Sequence, residues 1–181
     1  MPSYSTQNSL LLDNLRAFYA VGDRLETMLG IINGESDISL RIVDWFATNY
    51  AKQKYVVITS PEGKRLNVYA DYKLKLRAYS KRRFDPFCRW DRISYPYKDN
   101  MSIQTTIGQL NFFKWALENG VIAHIKEHYA VIEKDMNNRN STSRRRGPGQ
   151  GAGTRKRREE LSISATKSVK RENVEVVINF D

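Results

Sequence analysis

The sequence holds one cysteine, Cys88, and two histidines, His124 and His128. A lone thiol excludes an internal disulfide framework and any cysteine-based zinc finger. No apolar run approaches the roughly 20 residues needed to span a bilayer. Residues 1–20 lack the basic, apolar and small-residue sections of a secretory signal. There is no G-x-G-x-x-G, no P-loop, no G-x-S-x-G and no closely spaced acidic triplet. These absences set the expectation of a non-enzymatic chain with no cofactor and no small-molecule substrate. Its expected environment is reducing: cytosol, nucleus or a particle built there.

What the chain has in quantity is positive charge. Its 181 residues carry 30 Lys and Arg against 20 Asp and Glu, a net of +10 with a pI near 9.7. An excess of that size points to an anionic partner: nucleic acid, a membrane surface or an acidic protein. Residues 1–136 hold a net of only +4, whereas residues 137–173 hold +8. The second stretch contains Arg144, Arg145 and Arg146, then four alternating glycines, then Arg155, Lys156, Arg157 and Arg158. With little apolar surface to offset the entropy of ordering, it reads as a basic, flexible linker.

Hydrophobic residues make up 40% of the chain, enough for one domain and an appendage. The expected division is a flexible arm over residues 1–9, a globular helical domain over 10–136, the basic linker over 137–173 and a terminal strand over 174–181. Leu11, Leu12, Leu15, Phe18 and Tyr19 have helical spacing. Gly22 and Asp23 interrupt it, and Asp23 is placed to cap a second helix ending at the Asn33–Gly34 turn. Residues 38–52 repeat the helical period through Ile38, Ile42, Trp45, Phe46, Asn49 and Tyr50, with Ser36 or Asp37 as cap. The period then changes, and residues 55–70 read as a β-hairpin. Residues 70–83 return to helical spacing, with Tyr72, Leu76 and Tyr79 on one side, and Pro86 stops that helix. Residues 91–104 read as a loop. Helices follow over 105–118 and 121–136, broken at Asn119–Gly120. The β-branched run at 174–180 suggests a strand whose natural place is beside the 55–70 hairpin. The expected fold is α+β: a mostly helical single domain with a small antiparallel sheet that includes the C-terminal strand.

Two constellations touch on chemistry. His124-Ile-Lys-Glu127-His128 matches H-x-x-E-H, whose i, i+4 histidines share a helix face and can hold one zinc. Such peptidases take a third carboxylate ligand from a distant helix, and the 53 residues that follow are mostly low-complexity. Two surface histidines flanking a core stripe explain the pattern without a metal. Residues 69–92 interleave aromatics with cations, among them Lys81, Arg82, Arg83, Arg89 and Trp90. That pattern suits phosphates with base stacking, a protein contact, or a helix whose aromatics face inward while its cations are solvated. These five residues and the two arginine clusters of the linker are the candidate partner-binding set.

Three stretches carry a resemblance: Ile38 to Lys52, Phe84-Asp-Pro-Phe-Cys-Arg89 after Leu76 to Lys81, and Thr105 to Leu117. Over residues 10–136 and the terminal strand the chain resembles an uncharacterised family carried by nucleocytoplasmic large DNA viruses. Such viruses build icosahedral capsids from a major jelly-roll protein cemented by several small ones. The resemblance therefore implies a minor capsid or cement component of the virion, assembled in the host cytoplasm or nucleus. Its partners would be the major capsid protein, other minor capsid proteins, and the inner membrane surface or nucleic acid. The rival implication is a basic nucleic-acid-binding protein of genome packaging or late transcription.

Overall fold

The computed structural model describes residues 3–60, 62–98, 101–145 and 171–173, with side chains described within 8–140. The element order is α1 (Ser3–Tyr19), α2 (Arg24–Asn33), α3 (Leu40–Trp45), a π turn (Phe46–Tyr50), α4 (Ala51–Lys54), β1 (Val57–Thr59), β2 (Arg65–Asn67), α5 (Val68–Arg83), β3 (Arg92–Pro96), β4 (Met101–Thr106), α6 (Ile107–Glu118), α7 (Val121–Glu127), α8 (Tyr129–Arg145) and β5 (Arg171–Asn173). The result is a mostly helical α+β domain with two small antiparallel sheets, ordered β1-β2 and β3-β4-β5. The aromatic-rich α6 lies at its centre. Leu110, Phe112, Phe113 and Ala116 are buried, while Tyr19 of α1 donates its hydroxyl to the Leu110 carbonyl at 2.6 Å.

Residues 3–9, expected as a flexible arm, are the first turns of α1. No glycine or proline stands between Pro2 and Gly22, so a helix nucleated on the Leu15–Tyr19 face can run back through the polar stretch. Asp23 occupies the N-cap position of α2, but its side chain makes no capping bond. That helix ends as the sequence suggests: Gly34 adopts φ 76°, and the amides of Glu35 and Ser36 return to the Gly30 carbonyl.

The cap of α3 is Ser39, whose hydroxyl accepts from the Ile42 amide, in place of Ser36 or Asp37. The π turn then inserts one extra residue into the helical period. The buried face steps from Phe46 and Ala47 to Ala51, and leaves Asn49 and Tyr50 half-buried. The Thr48 hydroxyl donates to the Asp44 carbonyl at 2.7 Å within this widened turn.

The hairpin is where the sequence places it, with Ile58 opposite Leu66 and both buried. Asn67 ends β2 and caps α5 through the Ala70 amide. Residues 91–104, expected as a loop, contain most of a second hairpin pairing Arg92–Pro96 with Met101–Thr106. Its strands are short and mostly polar, and of their buried residues only Tyr95 and Ile103 are apolar, beside Ser102, Thr105 and Thr106, so they leave little periodic signal. Thr106 then caps α6.

The predicted last helix breaks at His128 and resumes as α8, which continues to Arg145, well into the expected linker. Ile132 and Met136 anchor α8 to the core, and propagation beyond them adds a hydrogen bond per residue without a glycine to stop it. Residues 171–173 pair with Met101–Ile103 of β4, so this described part of the returning chain joins the second sheet. The expected terminal strand at 174–181 lies outside the described residues.

Candidate interaction surface

Two of the three stretches that carry the resemblance, 76–89 and 105–117, meet in space. Segment Phe84–Cys88 is buried along its whole length between α5 and the start of α6. The Asp85 amide donates to the Gly108 carbonyl at 3.2 Å. The Asn111 side-chain amide donates to the Arg83 carbonyl, and that of Gln109 to the Pro86 carbonyl, both at 2.9 Å. The Thr105 hydroxyl completes this set by donating to Gln109 Oε1 at 2.8 Å. A Cβ at position 108 would lie 3.0 Å from the Arg82 carbonyl oxygen, so the close backbone approach favours glycine. Phe84 packs among Tyr72, Tyr79, Phe112 and Trp115, with centroids 5.4–6.1 Å away. The Trp115 Nε1 in turn donates to Asp71 on α5 at 2.6 Å. The 38–52 stretch is held to α8 by Trp45 Nε1, which donates to Asp135 at 3.1 Å.

Asp85 is only 3% exposed, and its charge is met by Arg89, which donates Nε to Oδ2 and Nη2 to Oδ1, both at 2.8 Å. This forked pair raises the Arg89 pKa above its ordinary value, chiefly through the hydrogen bonds to Asp85. The guanidinium also lies 5.2 Å from the Phe87 ring. Arg89 was expected to reach a partner, but two of its donors are spent on fixing its own loop. Arg82 pairs with Asp91 at 3.3 Å, an exposed contact of small energetic weight. Arg83 is half-buried and Lys81 exposed; Trp90 is 42% exposed beside the pinned Arg89. Arg144 and Arg145 end α8. Arg146, Arg155, Lys156, Arg157 and Arg158 lie outside the described residues.

Within the described part, the cations concentrate where composition alone did not show them. Residues 51–83 carry ten Lys and Arg against Glu62 and Asp71, a net of +8, so the rest of residues 1–136 nets −4. Lys73, Arg77 and Lys81 stand on the exposed side of α5.

His124 and His128 stack at a centroid distance of 4.2 Å, and α7 ends between them. His128 Nδ1 lies 3.0 Å from the His124 carbonyl, so that nitrogen is engaged with the backbone. Among the described residues no group of three or more His, Cys, Asp or Glu is placed to hold a metal ion. Cys88 is buried. No helix in the described residues is long and apolar enough to cross a membrane.

Residues 4–178 match a family of unknown function, DUF7197. The chain belongs to this family. It is also 42% identical over 135 residues to an uncharacterised protein of Acanthamoeba polyphaga mimivirus, covering 70% of the present chain and 52% of that relative. The chain thus spans about half the length of the viral protein it matches. No solved structure matches it. This viral relative agrees with the resemblance to proteins of large DNA viruses.

Proposed function

We propose that the chain is a non-enzymatic structural component of a large DNA virus particle, a minor capsid or cement protein that links neighbouring units. The observation that carries this reading is how the basic segment leaves and rejoins the body. Helix α8 runs from buried Ile132 and Met136 to Arg145, and Arg171–Asn173 pairs with β4. The intervening residues 146–170 carry seven Lys and Arg against two Glu and are attached to the domain at both ends. A cationic segment held at both ends suits a strap across an acidic neighbour better than a free tail does.

The polar side chains of the 83–111 region serve the fold, which supports a scaffold in preference to a reaction centre. Deleting residues 146–158 should leave helicity and thermal stability near wild type and block incorporation into particles. Normal incorporation of the deletion protein would overturn the reading. Exposed Trp90 favours the second reading, nucleic-acid binding for packaging or late transcription. On that reading Trp90→Ala weakens single-stranded DNA binding by about 1–3 kcal/mol. On the capsid reading the same substitution leaves that affinity unchanged.

A further inference from the structure

A shallow cleft of about 380 Å3 opens where α4, the first hairpin and α5 meet, lined by Ala51, Lys52, Tyr55, Asn67, Tyr69 and Ala70. Tyr55 closes α4 in the left-handed conformation, φ 50° and ψ 45°, which disfavours every residue but glycine and, less strongly, asparagine. The strained position leaves its ring 78% exposed at the cleft. Val57, two residues after Tyr55 and alternating with buried Ile58 along β1, is 45% exposed. From the cleft an apolar row runs up the solvent side of α5: Ala70, Leu74 and Ala78 at i, i+4 and i+8, with Leu74 60% exposed. A second row, Lys73 and Arg77, lies three residues ahead at the same spacing, with exposed Lys81 just past the break at Ser80, and none of these cations pairs with an acid among the described residues.

We infer that this cleft and the α5 rows form the docking surface for an acidic protein segment that seats one bulky apolar side chain in the cleft. The inference rests on the reading of the chain as a particle-linking component and names a surface separate from the strap. Charge complementarity sets the sign of the partner. Residues 51–83 net +8, and one of the two acids there, Asp71, is taken by the Trp115 indole. Lys52 stands 5.7 Å from the Tyr69 ring, at the cleft itself. The aliphatic exposures set the class of partner. A nucleic-acid strand stacks its bases on aromatic faces. Tyr55 offers such a face at the cleft, but Val57, Leu74 and the alanines along the α5 row do not, and these suit the apolar anchors of an amphipathic segment whose carboxylates reach the lysine and arginine row.

The test is a selection from a peptide library rich in glutamate, with one Trp, Phe or Leu at varied positions, on the full-length chain. Affinities of the enriched peptide are then read by fluorescence anisotropy. The enriched peptide should lose about 10-fold in affinity when its apolar anchor becomes serine, and as much against Leu74→Glu or Arg77→Glu. Tyr55→Gly relieves the left-handed strain, so it should fold at least as stably and still bind more weakly. A chain lacking residues 146–158 should keep full peptide affinity. Failure of that chain to enter particles therefore reports on the strap, and loss of peptide binding reports on the cleft. Enrichment that depends on charge alone, absence of any enriched peptide, or full competition by oligothymidine sensitive to the same substitutions would each overturn the inference.

Discussion

Residues 84–88 and residues 70–81 are near neighbours in sequence and both carry aromatics, yet they meet opposite fates. Phe84–Cys88 is buried throughout, whereas α5 buries only Val68 fully and turns Lys73, Leu74, Arg77 and Lys81 to solvent. The difference lies in what each finds across the interface. The loop meets side-chain donors from Gln109 and Asn111 and a glycine at 108 that lets two backbones touch. Helix α5 satisfies most of its own backbone and sets Val68, Tyr69, Tyr72, Leu76 and Tyr79 against the core. Burial of a polar backbone follows the availability of partners, and composition does not reveal them.

The contrast is sharpest in truncations. Phe84→Ala should cost about 3–5 kcal/mol in chemical denaturation, because four rings lose their common neighbour. Leu74→Ala, on the α5 face, should change stability by less than about 0.5 kcal/mol. Equal losses at both positions would erase the distinction between a locked loop and an open face. Gly108→Ala should cost about 1–3 kcal/mol by pressing a methyl group on the Arg82 carbonyl. A neutral result would mean that the loop is free to move away from α6.

Much of the fold was legible because its helices bury aliphatic and aromatic residues at regular spacing. The break at Gly34, the first hairpin and the start of α6 at Thr106 all carry local signals. The π turn was not legible, since one inserted residue at Phe46–Tyr50 leaves both the old and the shifted face apolar. Nor was the 92–106 hairpin, whose pairing joins mostly polar residues across a short turn. Of the partner-binding set, the sequence could mark Arg89 as a cation but not as the fork on Asp85. That ion pair is i, i+4 across a non-helical loop, so no helical periodicity announces it. The cleft at Tyr55 was missed as well. Its one available clue was a tyrosine placed where a helix stops without glycine, between Lys54 and the β-branched run.

Smaller effects probe the boundary between the two regions. Ser80 adopts φ 64° and ψ 164° inside α5, just where the exposed helix gives way to the buried loop. Conformations of that kind belong mainly to glycine, so Ser80→Gly should raise stability by about 1 kcal/mol, read as a higher denaturation midpoint. A loss would show that the strain is absent in solution. The smallest effect concerns His124, whose pKa lies below the ordinary histidine value, mainly through burial and then through nearby His128. The unfolded chain therefore binds a proton at pH values where the folded chain does not. Stability should be full above the ordinary histidine pKa, decline as pH falls below it, and level off under the folded value. Denaturation midpoints between pH 8 and pH 5 (a range of about three units around the histidine pKa) should show this slope, flattened in His124→Gln.

The proposed linking role is tested most directly by the amount of this chain in purified particles of the virus that encodes it. Quantitative mass spectrometry across successive gradient fractions should find a constant ratio of the chain to the major capsid protein. A ratio that drifts with purification, or the chain's absence from particles while it persists in infected-cell extract, would contradict the account.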